Sequence, residues 1–245
     1  MQHRVIFLDM GDTLVSLTTS LNAAYHQAAV ASGKIIEEDH LARTLAEIVR
    51  ETDERNRHDT FEPTEATDRR YWRDFNSRLL TRLDIAEHHW EGTHVAIERA
   101  FVDPANFVVF PEVHEALGKL SALGYRLAIL SNWSWHLAQL CAALDLARYF
   151  EQIVISSRVG HAKPHPAIFQ HALAAMHARP EDAIHVGDNP IADVGGALGV
   201  GITPVLLDRS GRDTAVAVPH RIATLLDLLP LLRTLEPTPP TTASS

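Results

Sequence analysis

Apolar and polar positions follow two different rhythms along this chain. Val5 to Leu8 is a continuous apolar run, as expected for a strand buried on both faces, and it stops at the turn-forming cluster Asp9-Met10-Gly11-Asp12. Asp9 is thereby delivered to the C-terminal edge of a buried strand. From about Leu17 to Phe101 a 3.6-residue period takes over. Leu41, Leu45 and Ile48 share one helical face and Tyr71, Phe75, Leu79 and Leu80 another, while polar Asn56 to Thr64, with Pro63, reads as a loop. This stretch is expected to be an all-helical insert.

After Pro111 the rhythm alternates. Val113, Ala116, Leu117 and Leu120 make a helix face that Gly124 ends, and Arg126 to Leu130 forms a strand running into Ser131-Asn132. A helix from about Ser134, a strand at Ile153 to Ser156, a helix after Pro166, a strand at Ala183 to Val186, a helix near Ala192 and a strand at Ile202 to Leu207 follow. Repeats of this length predict an α/β fold, a parallel sheet with helices on both faces and sites at the carboxyl ends of the strands. The expected division is a core of residues 1–16 and 104–236, a helical cap of 17–103, and a Pro/Thr/Ser-rich tail of 237–245 that reads as disordered.

Composition narrows the function classes. At 245 residues and 46% hydrophobic the chain can bury a sizeable core. With 31 acidic against 22 basic residues and no clustered cations, nucleic acid is not an expected partner. The one cysteine, Cys141, lies in an apolar helical pattern and reads as a buried side chain rather than a catalytic thiol. No apolar stretch approaches the ~20 residues of a membrane span, and the run before Asp9 is too short for a secretory segment. A cytoplasmic address is the expectation.

Four polar clusters each follow a predicted strand or open the next turn: Asp9 to Thr13, Ser131-Asn132, Lys163-Pro164, and Gly187-Asp188-Asn189 with Asp193 beyond. Singly, each has a bland reading as a turn or cap. Together they place carboxylates, a hydroxyl and a lysine on one sheet edge. A carboxylate attacking phosphorus meets a group that is itself anionic, and two unit charges ~4 Å apart repel by about 4 kcal/mol at an effective dielectric of 20. A hard cation between Asp9 and Asp188, with Lys163 and Ser131 on the remaining phosphate oxygens, would remove that obstacle; Mg2+ suits such ligands. Attack would give an aspartyl-phosphate for water to hydrolyse.

The motifs Val5-Ile6-Phe7-Leu8-Asp9-Met10-Gly11-Asp12-Thr13-Leu14, Leu130-Ser131-Asn132, Gly160-His161-Ala162-Lys163-Pro164 and His185-Val186-Gly187-Asp188-Asn189 with Asp193 occur in this order. In them the chain resembles the haloacid dehalogenase-like hydrolase superfamily, from Arg4 to Val15 and from Pro111 to about Arg209. The resemblance implies a Rossmann-like, doubly wound core with a helical cap inserted after the first motif. It also implies Asp9 as nucleophile and Mg2+ ligand, the Gly11 carbonyl and Asp188 as further ligands, Asp193 as a ligand or a residue behind them, and Ser131, Asn132 and Lys163 as phosphate binders.

Two departures stand out. Phosphatases of this family carry a second Asp two positions after the nucleophile, as acid and then base; here that position is Gly11, and Asp12 comes one place later. Either Asp12 reaches the site through a shifted turn or it only caps the turn, the reading we prefer because adjacent residues rarely point the same way. His165 replaces the Asp common after Lys-Pro. The leading expectation is a phosphomonoesterase acting on a small phosphorylated metabolite, as monomer or homodimer. Two others are carried: a binding or regulatory protein of the same fold, and a metal-independent 2-haloacid dehalogenase. A Schiff-base role for Lys34, as in the phosphonatase branch, is set aside as a solvated charge. Trp72, Phe75 and Trp90 read as cap core, and Trp133 and Trp135 as candidates to line the pocket.

Overall fold

The computed structural model describes residues 5–17, 21–211 and 217–235. The proposed disordered tail, and residues 1–4, lie outside them. No described helix is long and apolar enough to cross a membrane.

The run Val5–Leu8 forms β1, buried at every position. It lies at the centre of a six-stranded parallel sheet with β4 (Arg126–Ser131) on one side and β6 (Ala183–Gly187) on the other. β5 (Gln152–Ile155) continues the sheet beyond β4, and β7 (Thr203–Leu207) and β8 (Arg221–Ile222) continue it beyond β6. Because side chains alternate along a strand, Ile6 and Leu8 enter one buried cluster with Val113, Leu117 and Leu120, while Val5 and Phe7 enter another with Ile168, Phe169 and Ala172. An uninterrupted apolar run is the sequence form of such a strand. Cys141 is buried in the first cluster, and burial pushes its thiol up to about 12.

Register fixes the site. Leu8 pairs with Ile129 and with Val186, so Asp9 emerges beside the ends of both flanking strands. The strand order reverses across β1, the position where open α/β sheets bind ligands.

Between β2 (Val15–Leu17) and β3 (Phe107–Val109), an antiparallel pair the periodicity did not reveal, the described residues form four α-helices: α1 (Leu21–Ala31), α2 (Glu38–Asn56), α3 (Glu65–Arg82) and α4 (Trp90–Val102). Tyr25, Leu41, Ile48, Leu79, Leu80 and Ile97 give this insert its own apolar cluster. Several boundaries move. The helix expected from Ser134 begins at Leu137, Ser156 starts a short helix instead of ending β5, and the helix near Ala192 is a π-helical turn over Pro190–Gly195.

Candidate active site

Asp9 is the first residue past β1, and its N–H still donates to Val186 O at 2.9 Å, so the backbone is held as firmly as the strand. The chain then turns sharply: Leu14 and Val15 N–H both reach Met10 O, and Thr13 N–H donates to Gly11 O at 2.6 Å. That carbonyl keeps a second lone pair for another partner. Asp12 takes a left-handed φ of 50° and is exposed, its N–H donating to Val15 O and its carbonyl accepting from Arg209. It still borders the cavity that opens over Asp9.

Lys163 is 2% exposed. Its Nζ donates to Asp9 Oδ1 at 2.6 Å, Asp193 Oδ1 at 2.6 Å and Leu130 O at 2.8 Å, which uses all three ammonium protons. Burial works against its charge, but Asp193 and Asp9 outweigh that and raise its pKa. Asn132 grips the same residue: its Oδ1 accepts from Lys163 N–H at 2.6 Å and its Nδ2 donates to Lys163 O at 2.8 Å. The side chain expected to bind phosphate thus holds the lysine; it also lines the cavity above the sheet edge, and its Nδ2 has a second proton beyond the one given to Lys163 O.

Asp193 is equally committed. Oδ1 accepts from Lys163 and from His185 Nε2 at 2.8 Å, and Oδ2 accepts from Asn189 N–H at 2.9 Å. Burial alone would raise its pKa; Lys163 and His185 bring it below the usual carboxylate range. Gly187 makes room, since a Cβ there would lie 2.2 Å from Asp193 Cγ. Asp9 and Asp188 behave oppositely. Burial raises both; Lys163 and the Ser131 hydroxyl only partly offset this at Asp9, and the charges of Asp9, Asp193 and Asp12 add to it at Asp188. Ligand atoms of Asp9, Asp188 and Asp193 lie within 4.8 Å of one another. Three carboxylates facing one ammonium leave negative charge in excess, an electrostatic setting that fits a divalent cation.

A cavity of about 220 Å³ opens over these groups. Its floor is the sheet edge, and α2 and α3 supply Thr52, Asp53, Asn56, Tyr71, Trp72 and Phe75 to its walls. Trp72 and Phe75 thus line the pocket as well as packing the insert. Trp133 lines it too, against Gly11, where a Cβ would be 3.3 Å from Trp133 Cζ3. Trp135 does not: it stacks under Arg158 at 4.7 Å. Lys34 pairs with Asp84 within the insert, away from the cavity. A larger cavity of about 330 Å³, lined by α3 and α4 of the insert and by Ser134 and His136 of the core, touches none of Asp9, Lys163 or Asp188.

Asp53 and Asp68 escaped the sequence reading, and His185 entered it as part of the fourth motif without its bond to Asp193. A signal for the first was present: the stripe Leu41–Ile48 of α2 turns polar at Thr52, Asp53 and Asn56 while remaining buried.

A parallel sheet whose central strand ends in an aspartate paired to a buried lysine, beside two more carboxylates, defines a class of hydrolase. The family model for haloacid dehalogenase-like hydrolases matches residues 3–201, and the chain belongs to that family. It is 29% identical over 250 residues to human haloacid dehalogenase-like hydrolase domain-containing protein 3, covering 98% of each chain. It is 29% identical over 212 residues to a glyceraldehyde 3-phosphate phosphatase of Pyrococcus furiosus, covering 82% of this chain and 79% of that one. The crystal structure of a HAD phosphatase from Thermococcus onnurineus superposes with a TM-score of 0.63 at 24% identity, covering 95% of this chain and 98% of the other.

Proposed function

We propose that this hydrolase is a Mg2+-dependent phosphomonoesterase for a small phosphorylated metabolite. The observation that carries the reading is the hydrogen-bonded set Asp9–Lys163–Asp193 with Asp188 beside it at the sheet edge. Asp9, Asp188 and the Gly11 carbonyl would hold Mg2+, which supplies the positive charge that lets a carboxylate and a phosphate approach. Asp193, with both oxygens engaged, orients Lys163 and the Asn189 turn from behind.

Asp9 attacks phosphorus to form an aspartyl-phosphate, and water then hydrolyses it. Ser131 binds one phosphate oxygen, and Lys163 binds another by exchanging its bond to Asp9 for it when substrate enters, with Asn132 fixing where Lys163 sits. Residues 17–103 act as a cap over the core 1–16 and 104–236, excluding water and setting specificity. That the Pyrococcus furiosus relative is a phosphatase supports phosphoryl over haloacid chemistry.

The test is release of p-nitrophenol from p-nitrophenyl phosphate with and without Mg2+, beside Asp9→Asn. Release that needs Mg2+ and vanishes in the variant is expected. Release that persists in Asp9→Asn, or none above its background, would reject the reading.

A further inference from the structure

The family's usual acid/base position is taken here by Gly11, and the Trp133 ring stands against it. A proton is still needed by the leaving oxygen and must later be removed from the attacking water. Seven side chains lining the catalytic cavity carry a dissociable proton: Asp9, Asp12, Asp53, Tyr71, Lys163, Asp188 and Asp193. In the phosphomonoesterase reading Asp9 is the nucleophile and Asp188 would hold the cation, while Lys163 and Asp193 are bonded to each other. The Tyr71 hydroxyl is bonded to Asn56 and burial pushes it up to about 12. Asp12 and Asp53 remain.

Asp12 is exposed and belongs to the same turn as Asp9. Asp53 comes from α2, on the insert side of the cavity, and is 5% exposed. In an in-line displacement the leaving oxygen departs on the side away from the nucleophile, which here is toward the insert. Asp53 Oδ2 accepts from Asn189 Nδ2 at 2.7 Å. The orientation of that amide is fixed, because Asn189 Oδ1 accepts from Ile191 and Ala192 N–H at 2.8 and 3.0 Å. Oδ1 of Asp53 has no protein partner among the described residues and is the atom left to carry a proton.

Resting on the phosphomonoesterase reading, we propose that Asp53 is the general acid and base of this enzyme, supplied by the insert in place of the missing core aspartate. As the phosphorus–oxygen bond breaks, its electron pair stays on the leaving oxygen, which takes the proton from Asp53. The resulting Asp53 carboxylate then accepts a proton from the water that attacks the aspartyl-phosphate, releasing Asp9 as carboxylate and restoring Asp53. Burial pushes Asp53 up to about 7; the Asn189 amide draws it down, Asp193 pushes it up, Lys163 draws it down, and Glu54 on its own helix pushes it up. That value suits exchange in both directions near neutral pH.

The experiment is pre-steady-state release from p-nitrophenyl phosphate, whose leaving group departs as a stable anion, and from glycerol 1-phosphate, whose alkoxide needs a proton. Wild type, Asp9→Asn, Asp12→Asn, Asp53→Asn and Asp53→Ser are compared with Mg2+ present, and thermal unfolding checks each fold. Either replacement at position 53 can keep an acceptor for Asn189. The Asp53 variants are expected to release a burst of about one p-nitrophenolate per active site, then to turn over roughly 10²–10⁴-fold more slowly than wild type. With glycerol 1-phosphate they should give no burst. A merely structural role would lower burst and turnover together on both substrates, and that result overturns the proposal. So does the burst pattern appearing in Asp12→Asn instead. Absence of any Asp9-dependent release from wild type would sink this proposal and the phosphomonoesterase reading together; release by wild type with normal Asp53 variants would sink this one alone.

Discussion

Lys163 is the residue on which the charge balance of the site turns. It is buried with Asp9 and Asp193, each 2.6 Å away, and breaking a buried ion pair from one side leaves an uncompensated charge worth about 3–5 kcal/mol. Lys163→Met is therefore expected to lower Tm by roughly 6–20 °C, at about 2–4 °C per kcal/mol for a chain of this size. Adding Asp193→Asn should recover part of the loss, because the second substitution removes one stranded carboxylate. A Tm within a degree or two of wild type in Lys163→Met would contradict the pairing. Asp9 was legible because it directly follows the apolar run of β1, and Lys163 because it directly precedes Pro164 in a turn signal. The role of Asn132 was not, since its two bonds to Lys163 span 31 residues.

At the scale of elements, three of the polar contacts between insert and core fall on loops that carry site residues. α2 places Asp53 on Asn189, the following loop donates Phe61 N–H to Gly160 O at 2.9 Å, and α3 offers Asp68 Oδ2 to Trp135 N–H at 2.9 Å. The middle contact depends on glycine. Gly160 has φ 82°, and a Cβ would stand 2.4 Å from Phe61 O. Gly160→Ala should destabilise the protein by about 1–3 kcal/mol through strain and displacement of that loop. Limited proteolysis should then cut within 57–64 faster than in wild type, and an unchanged cleavage rate and Tm would refute the close approach. The helices of the insert were readable from their period; which residues of α2 and α3 face the core was not, because docking brings together positions far apart in sequence.

For the molecule as a whole, the proposed cation would compete with protons for the same carboxylates. Asp9 and Asp188 are both held above the usual carboxylate range by burial and repulsion, so the folded chain without metal keeps protons there that the unfolded chain gives up. Stability from those protons is lost as pH rises through the raised values, and a cation, which needs the ionised forms, then replaces it. Mg2+ is expected to raise Tm more at pH 8 than at pH 5; at 100 times its Kd it would contribute about 2.7 kcal/mol. Asp188→Asn should remove most of the shift. A larger shift at pH 5, or one that survives Asp188→Asn, would exclude this cation site.

The sequence by itself determined the α/β order, the buried strand ending in Asp9, the helical insert and the four motif positions, because each rests on local periodicity or on residues adjacent to a strand end. The π-helical turn, the β2–β3 pair and the start of the helix at Leu137 lay below that resolution, being short segments without a full period. Only the tertiary structure decided that Asn132 and Asp193 brace Lys163, that Trp133 occupies the space beside Gly11, and that Asp53 reaches the catalytic cavity. Those relations come from register between strands and from the docking of the insert, and neither is written in the spacing of any single segment.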